Sequence, residues 1–383
     1  MWACYVSATN YVEVKSLSIS GGAFLRMAAL ARGSYEYRRD LIFEEYYNWE
    51  IPGSRIEEAA LVVSGDVIVT NTAAIRIGGR KQAFSTTVSI GGALSMADGA
   101  MMVFGRAIDS VAGFDFTNGT SRVTVPGMFS LRGDSVFYPC CEQYTGGGVV
   151  FRVGNVEIGE GAAIDASARG WCRDTDRSPI STAPGLGYAH TIGGGYGGYG
   201  GNHTETYGLT YGNEYAPILP GSSGGSYGYV QPAGGLIRIH AHKATIAGTL
   251  NANGGRYSSG GGIWLTTAKG LEIASTALFT ARGGFGHDDN NPANRGAAGG
   301  GGRIALWSGI SDAQIDELAR TGTLSAWSAS KFASADISEA FLAAYPSSVS
   351  VGPKVTDDPA YTDGDGTFRY LVIPPPGFVI YVR

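Results

Sequence analysis

Arg238, His240 and His242 alternate along one apolar run, Leu236-Ile237-Arg238-Ile239-His240-Ala241-His242, and alternate residues of a strand share a face. Three basic groups in a row have the chemistry of a polysaccharide-cleaving site, in which a base abstracts the proton beside a uronate carboxylate. The same row also suits the solvated side of a strand. Asp165 and Asp174 offer a second chemistry, a carboxylate pair for glycoside hydrolysis, which depends on a separation that sequence does not supply. His287, Asp288 and Asp289, followed by Asn290 and Asn291, gather ligands of the kind calcium takes. Neither the EF-hand loop nor the glycine-rich calcium repeat is matched there, and Asp, Asn and Gly are also ordinary turn formers.

A second group of residues points to contact and not to bond-breaking. Between 171 and 233 the chain runs through Gly193-Gly194-Gly195-Tyr196-Gly197-Gly198-Tyr199-Gly200-Gly201 and then Tyr207, Tyr211, Tyr215, Tyr227 and Tyr229. A long stretch without a regular period is usually functional or disordered. Flat amphipathic rings on an adaptable glycine backbone suit stacking on sugars or on a neighbouring protein, and equally suit packing over the protein's own face. Cys140 and Cys141 stand about one repeat before Cys172, which brings a disulfide within reach, with buried thiols as the other reading. None of them has zinc-ligand spacing.

The elements that must position these groups come from a repeat. Gly-Gly-apolar-x-apolar recurs as Gly147-Gly148-Val149-Val150-Phe151, Gly234-Gly235-Leu236-Ile237-Arg238-Ile239, Gly261-Gly262-Ile263-Trp264-Leu265 and Gly301-Gly302-Arg303-Ile304-Ala305-Leu306. Each copy leads into further short apolar runs and a small-residue turn. The first half has the same grammar with fewer glycines, at Val12-Glu13-Val14, Leu61-Val62-Val63, Val88-Ser89-Ile90 and Val123-Thr124-Val125. A period mostly in the twenties of residues, with apolar and polar positions alternating, predicts an all-β parallel β-helix, a solenoid over residues 1–307. Two insertions leave it, at about 33–58 and 171–233. After residue 307 the grammar changes: residues 308–383 read as a small α+β extension with two short helices, around Ser311–Ala319 and Asp336–Ala344, and terminal strands.

Composition narrows the class. With 383 residues, 44% hydrophobic and 16% charged, the chain is a folded β protein and not a disordered one. Its net charge of −5 is spread along the sequence, so no basic stripe marks a nucleic-acid partner. No apolar run is long enough to span a membrane. Met1-Trp2-Ala3-Cys4 lacks the basic start and apolar run of a secretory leader, which leaves a chain whose leader has been removed or a piece of a larger protein.

The succession of Gly-Gly-Leu-Ile-Arg-Ile at 234–239, Leu250-Asn251-Ala252-Asn253-Gly254-Gly255, Gly-Gly-Ile-Trp-Leu at 261–265 and Gly299-Gly300-Gly301-Gly302-Arg303-Ile304 resembles the glycine-rich β-helical repeats of large secreted bacterial surface proteins. The resemblance covers about 145–307 well and 12–144 loosely. It implies an adhesin, envelope component or filament-forming protein at the cell surface, without a catalytic centre. Partners would be copies of the chain joined through its ends and C-terminal strand, or surface glycans, and calcium is the one cofactor the sequence suggests. The other reading is a polysaccharide lyase or glycoside hydrolase built on the same fold.

Overall fold

A computed structural model describes residues 3–5, 11–27, 58–78, 85–105, 121–143, 145–172, 183–187, 192–201, 208–225, 231–286, 298–325, 327–352 and 364–374. The chain is mostly β, with parallel strands in two sheets and, among the described residues, three short helices. In spatial order the first sheet contains Ala3–Tyr5, Phe24–Met27, Ala74–Ile77, Ala100–Phe104, Val136–Cys140, Ala163–Asp165, Thr249–Asn251, Leu278–Thr280 and Val349–Ser350. The second contains Tyr11–Val14, Glu58–Val63, Ser85–Ile90, Ser121–Arg132, Val149–Ile158, Leu236–Ile246, Gly262–Thr267, Arg303–Ser308 and Thr367–Val372. A branch of the second sheet pairs Leu17–Ile19 with Val67–Thr70, then Leu94–Ala97, then the C-terminal half of Ser121–Arg132.

Parallel in-register pairing stacks like on like, and the apolar columns follow from it. In the second sheet Leu61, Val88, Val123, Phe151, Ile239, Leu265 and Leu306 succeed one another across neighbouring strands, and all are buried. In the first sheet Leu25, Ile75, Met101, Phe137, Ile164, Leu250 and Phe279 form the matching column. The branch supplies a third, Val67, Leu94, Phe129, Val156 and Ala244. These columns meet in one apolar cluster, where the Phe137 ring packs edge-on against Phe129 at 5.6 Å and Phe151 at 4.9 Å. The alternation predicted from sequence is therefore the inward half of each strand.

Two kinds of irregularity shape the repeat. Ser121–Arg132 is long enough to serve both the main ladder and the branch, and it bends where the register shifts between Val125 and Met128, at Pro126-Gly127. Corners between the branch and the first sheet need left-handed backbone, and Asn71, Thr72 and Asp98 adopt it without glycine, at φ of 54°, 62° and 56°. Stacking holds them there: the Thr72 amide donates to the Asp98 carbonyl of the next corner at 2.6 Å, and the Asp98 carboxylate accepts from the Asp134 amide at 3.0 Å.

Pairing continues past residue 307, since Val349–Ser350 extends the first sheet and Thr367–Val372 the second. Helix α1 (Asp312–Thr321) starts with a capping box between Ser311 and Gln314 and stops at Gly322 with φ 74°. Its buried residues Ile315, Leu318 and Ala319 face the outer side of the second sheet. Helices α2 (Ala329–Ala335) and α3 (Ser338–Ala344) lie against the last strand. At that strand's free edge the Ile337 amide donates to the Tyr370 carbonyl and the Tyr370 amide donates to Ser338 Oγ, both at 2.8 Å, while Phe341 packs on Phe368. An edge that would otherwise offer main-chain groups to another chain is thus covered.

The glycine-rich runs are part of the packed body. Gly197 and Gly198 both donate to the Gly301 carbonyl, at 3.0 and 2.9 Å, and Gly301 in turn donates to Gly364 at 3.0 Å. Gly300 donates to Gly194, and Gly260 to Gly300, each at 3.0 Å. Backbone meets backbone so closely that a Cβ on Gly197 would fall inside contact distance of the Gly302 carbonyl, and one on Gly301 inside that of Val351. Glycine is required here by space. Gly301→Ala should therefore destabilise the fold by about 3 kcal/mol, the upper end of the overpacking range. Gly352→Ala, whose Cβ would meet only the Asp365 side chain at 3.4 Å, should change it by less than about 1 kcal/mol in the same chemical denaturation experiment.

Candidate functional site

The outward columns of the second sheet carry its polar groups. Arg122, Val150, Arg238 and Trp264 occupy one column, and Thr124, Arg152, His240, Thr266 and Trp307 the next. Arg238, His240 and His242 do share a face, as their spacing predicts, and that face lies beneath α1. Arg238 and His240 have no solvent exposure. The Arg238 guanidinium donates through Nε to His240 Nε2 at 2.9 Å and through Nη2 to the Leu318 carbonyl, and it sits 5.3 Å from the centre of the Trp264 ring. With Nε2 accepting, the proton of His240 is on Nδ1, which donates to Thr266 Oγ1 at 2.8 Å.

This arrangement explains how a cation is tolerated in the interior. Burial pushes the Arg238 pKa down to about 9, with Arg122 adding repulsion, so the side chain is still charged at neutral pH. A carbonyl in the last turn of α1, at the negative end of the helix dipole, and the electron-rich Trp264 face offset the lost hydration. Burial first, then the positive charges of Arg238 and Arg152, hold His240 well below its usual 6.5, as a neutral ring. His242 is partly exposed, and its Nδ1 hydrogen-bonds to the Asp312 carboxylate at 3.0 Å. The row is the seat of α1, and while α1 is in place no substrate atom reaches Arg238 or His240.

Beside that seat the wall and helix part to leave a groove of about 380 Å³. Arg122, Thr124, Val150 and Arg152 form its wall, and Ala313, Asp316, Glu317, Ala319 and Arg320 of α1 form its rim. Arg152 Nε reaches Asp316 Oδ1 at 2.7 Å, and Glu317 accepts from the Ser325 amide at 3.0 Å, which lowers its pKa. Sequence reasoning passed over this site, although Arg122-Val123-Thr124 and Val150-Phe151-Arg152 show its polar members alternating with core residues.

The other predicted groups are placed as follows. Tyr196 is fully buried, packs on Tyr211 at 4.7 Å and lies under Arg303 at 5.5 Å. Tyr211 donates to the Pro220 carbonyl at 2.6 Å, and Tyr215 stacks on Phe332 at 4.9 Å. Three of the seven tyrosines thus spend their faces on the protein itself, whereas Tyr199 is 51% exposed. Tyr207, Tyr227, Tyr229, Asp174, His287, Asp288 and Asp289 lie outside the described residues. Asp165 accepts from the Ser167 amide at 2.8 Å, as a turn-forming side chain does. Cys140 and Cys141 are buried and Cys172 partly so, and among the described residues no disulfide joins them. Burial pushes the Cys141 thiol up to about 12, and the Cys141 amide donates to the Arg169 carbonyl at 2.9 Å.

Among the described residues no cluster of three or more metal-ligating side chains occurs, and no helix is long and apolar enough to cross a membrane. Comparison with known proteins gives no match: no family model fits the chain, and no curated protein or solved structure is similar to it.

The buried neutral histidine has a signed consequence. Below pH 6.5 the unfolded chain protonates His240 and the folded chain does not, so stability is complete above that pH and falls as pH drops beneath it. The slope from this one group is at most about 1.4 kcal/mol per pH unit. His240→Gln, which keeps an acceptor for Arg238 and a donor for Thr266, should reduce the loss of unfolding free energy between pH 7.5 and 5.5 by roughly 1 kcal/mol. Urea denaturation of both proteins at the two pH values checks it; equal losses would show that His240 does not carry the effect.

Proposed function

We propose that the chain is a parallel β-helix of the cell exterior that works by surface contact, as a rigid adhesive or structural wall, and does not turn over a substrate. Support for the winding comes from three parallel ladders visited in the same order in successive repeats, with columns of apolar side chains meeting in one core. The extracellular placement rests on the glycine-rich resemblance. The observation that carries the contact reading is the burial of Arg238 and His240: the groups with the best catalytic chemistry are sealed between sheet and helix and hydrogen-bonded to structural partners. What remains outside is a groove and an exposed wall.

Covering of the Thr367–Val372 edge by α3 favours contact through the walls over fibre growth through that end. Association through the remaining surfaces, or with glycans, fits the same body. The experiment is twofold. The purified chain incubated with acidic polysaccharides should release no unsaturated uronate or new reducing ends, and negative-stain images should show particles elongated along the stacking direction. Release of either product would overturn the non-catalytic reading, and round particles with radial blades would overturn the winding.

The cap itself is testable. Phe341→Asp places a charge against Phe368 and Tyr370 and should unseat α3. Sedimentation velocity should then show concentration-dependent association absent from the parent chain. A variant that stays monomeric, with α3 shown by hydrogen exchange to be released, would mean that the edge is not what limits assembly.

A further inference from the structure

We propose that the groove between the second sheet and α1 binds an acidic sugar through its carboxylate, with Arg122 and Arg320 as the charge-bearing donors. The inference deepens the surface-contact reading and rests on it only in taking the bound sugar to remain uncut. Its basis is how the groove distributes charge. Among the described residues, Arg122 and Arg320 make no hydrogen bond or ion pair; of the two acids beside them, Asp316 is engaged by Arg152, and Glu317 accepts from the Ser325 amide and feels the Arg320 charge as well. Two strands farther along the same outward column, a further guanidinium, Arg238, is sealed under α1. The lining carries three guanidinium groups against two carboxylates, and with Arg152 held by Asp316 and Asp312 the positive charges left to meet an anion are those of Arg122 and Arg320.

The lining selects which anion. A phosphate or sulfate site is built from donors alone, and Asp316 and Glu317 on the rim would repel a dianion. A singly charged carboxylate flanked by hydroxyl groups matches better: guanidinium groups take the carboxylate in fork geometry, while Asp316, Glu317 and Thr124 Oγ1 accept from hydroxyls. The exposed Ala313 methyl, with buried Val150 and Ala319 behind it, gives the C–H face of a sugar ring a small apolar contact. The volume of about 380 Å³ lies within the usual range for small-molecule sites.

Isothermal titration calorimetry of the full chain with trigalacturonate, galactotriose and sodium sulfate tests this. Trigalacturonate should bind, more weakly at high ionic strength, while galactotriose and sulfate should not. Arg122→Gln and Arg320→Gln should each weaken binding about tenfold or more, the loss of one charge-assisted contact. Ala313→Trp, which fills the groove from the exposed side of α1 and leaves both arginines intact, should abolish binding with the thermal midpoint unchanged. Absence of trigalacturonate binding, equal binding of galactotriose or sulfate, or unchanged affinity in the folded variants would each overturn the proposal. Cleavage of the bound sugar would sink the non-catalytic reading and leave this site standing.

Discussion

Main-chain hydrogen bonding between neighbouring parallel strands is the constraint on which everything else in this molecule rests. Every strand pairing described is parallel and in register, apart from the shift at Pro126-Gly127, so one residue's position fixes the positions of its counterparts above and below. Apolar residues then stack into columns because a one-residue slip would turn each inward side chain out to solvent. In the glycine-rich part the same demand is met without regular strands. There the backbone hydrogen-bonds across irregular segments such as Gly193–Gly201 and Ala298–Gly302 only because so few side chains keep them apart; within these two segments every position is glycine except Tyr196, Tyr199 and Ala298.

Aromatic and basic side chains of the neighbouring strand Arg303–Ser308 fasten the Gly-Tyr stretch. Arg303, on a strand of the second sheet, donates to the Tyr211 carbonyl at 2.9 Å and the Tyr196 carbonyl at 3.3 Å. Trp307, farther along the same strand face, donates to the Tyr215 carbonyl at 2.8 Å. Both groups lie outward on the sheet and reach over to hold the segment by its carbonyls, beside the Tyr215–Phe332 stack and the Arg369–Glu214 ion pair. The Trp264, Trp307, Trp327 and Phe332 rings extend that clamp to α2, and Arg238 ties α1 down beside it.

Periodicity made the strands legible in the sequence. Val123 and Ile239 are legible as inward positions because polar residues flank them, Phe151, Leu265 and Leu306 only by their place in the Gly-Gly-led repeat, and Ser311 announces α1 by its capping chemistry. The outer face was harder to read. Arg238 and His240 look in sequence like any polar strand face, and only the docking of α1, a segment some eighty positions later in the chain, turns that face into an interior. Tyr196 and Tyr211 were misleading for a related reason: a ring between glycines has no periodicity from which burial can be inferred. Arg122 and Arg152 carry the groove's charge, and nothing local separates them from solvated arginines until α1 supplies the opposite bank.

Phe151 and Ile239 are direct neighbours in the second sheet although the whole Trp171–Ala233 excursion lies between them. The entropy of closing such a detour grows only with the logarithm of its length, about 0.6 kcal/mol for each doubling. Length is therefore cheap to change in an excursion of this kind, but sequence is not: Gly193–Gly201 lie backbone to backbone against Ala298–Gly302, and a side chain there would push the two apart. The excursion is thus tethered at both ends by the wall and along its middle by glycine contacts, so its tolerance to change is set by packing and not by the entropy of closure.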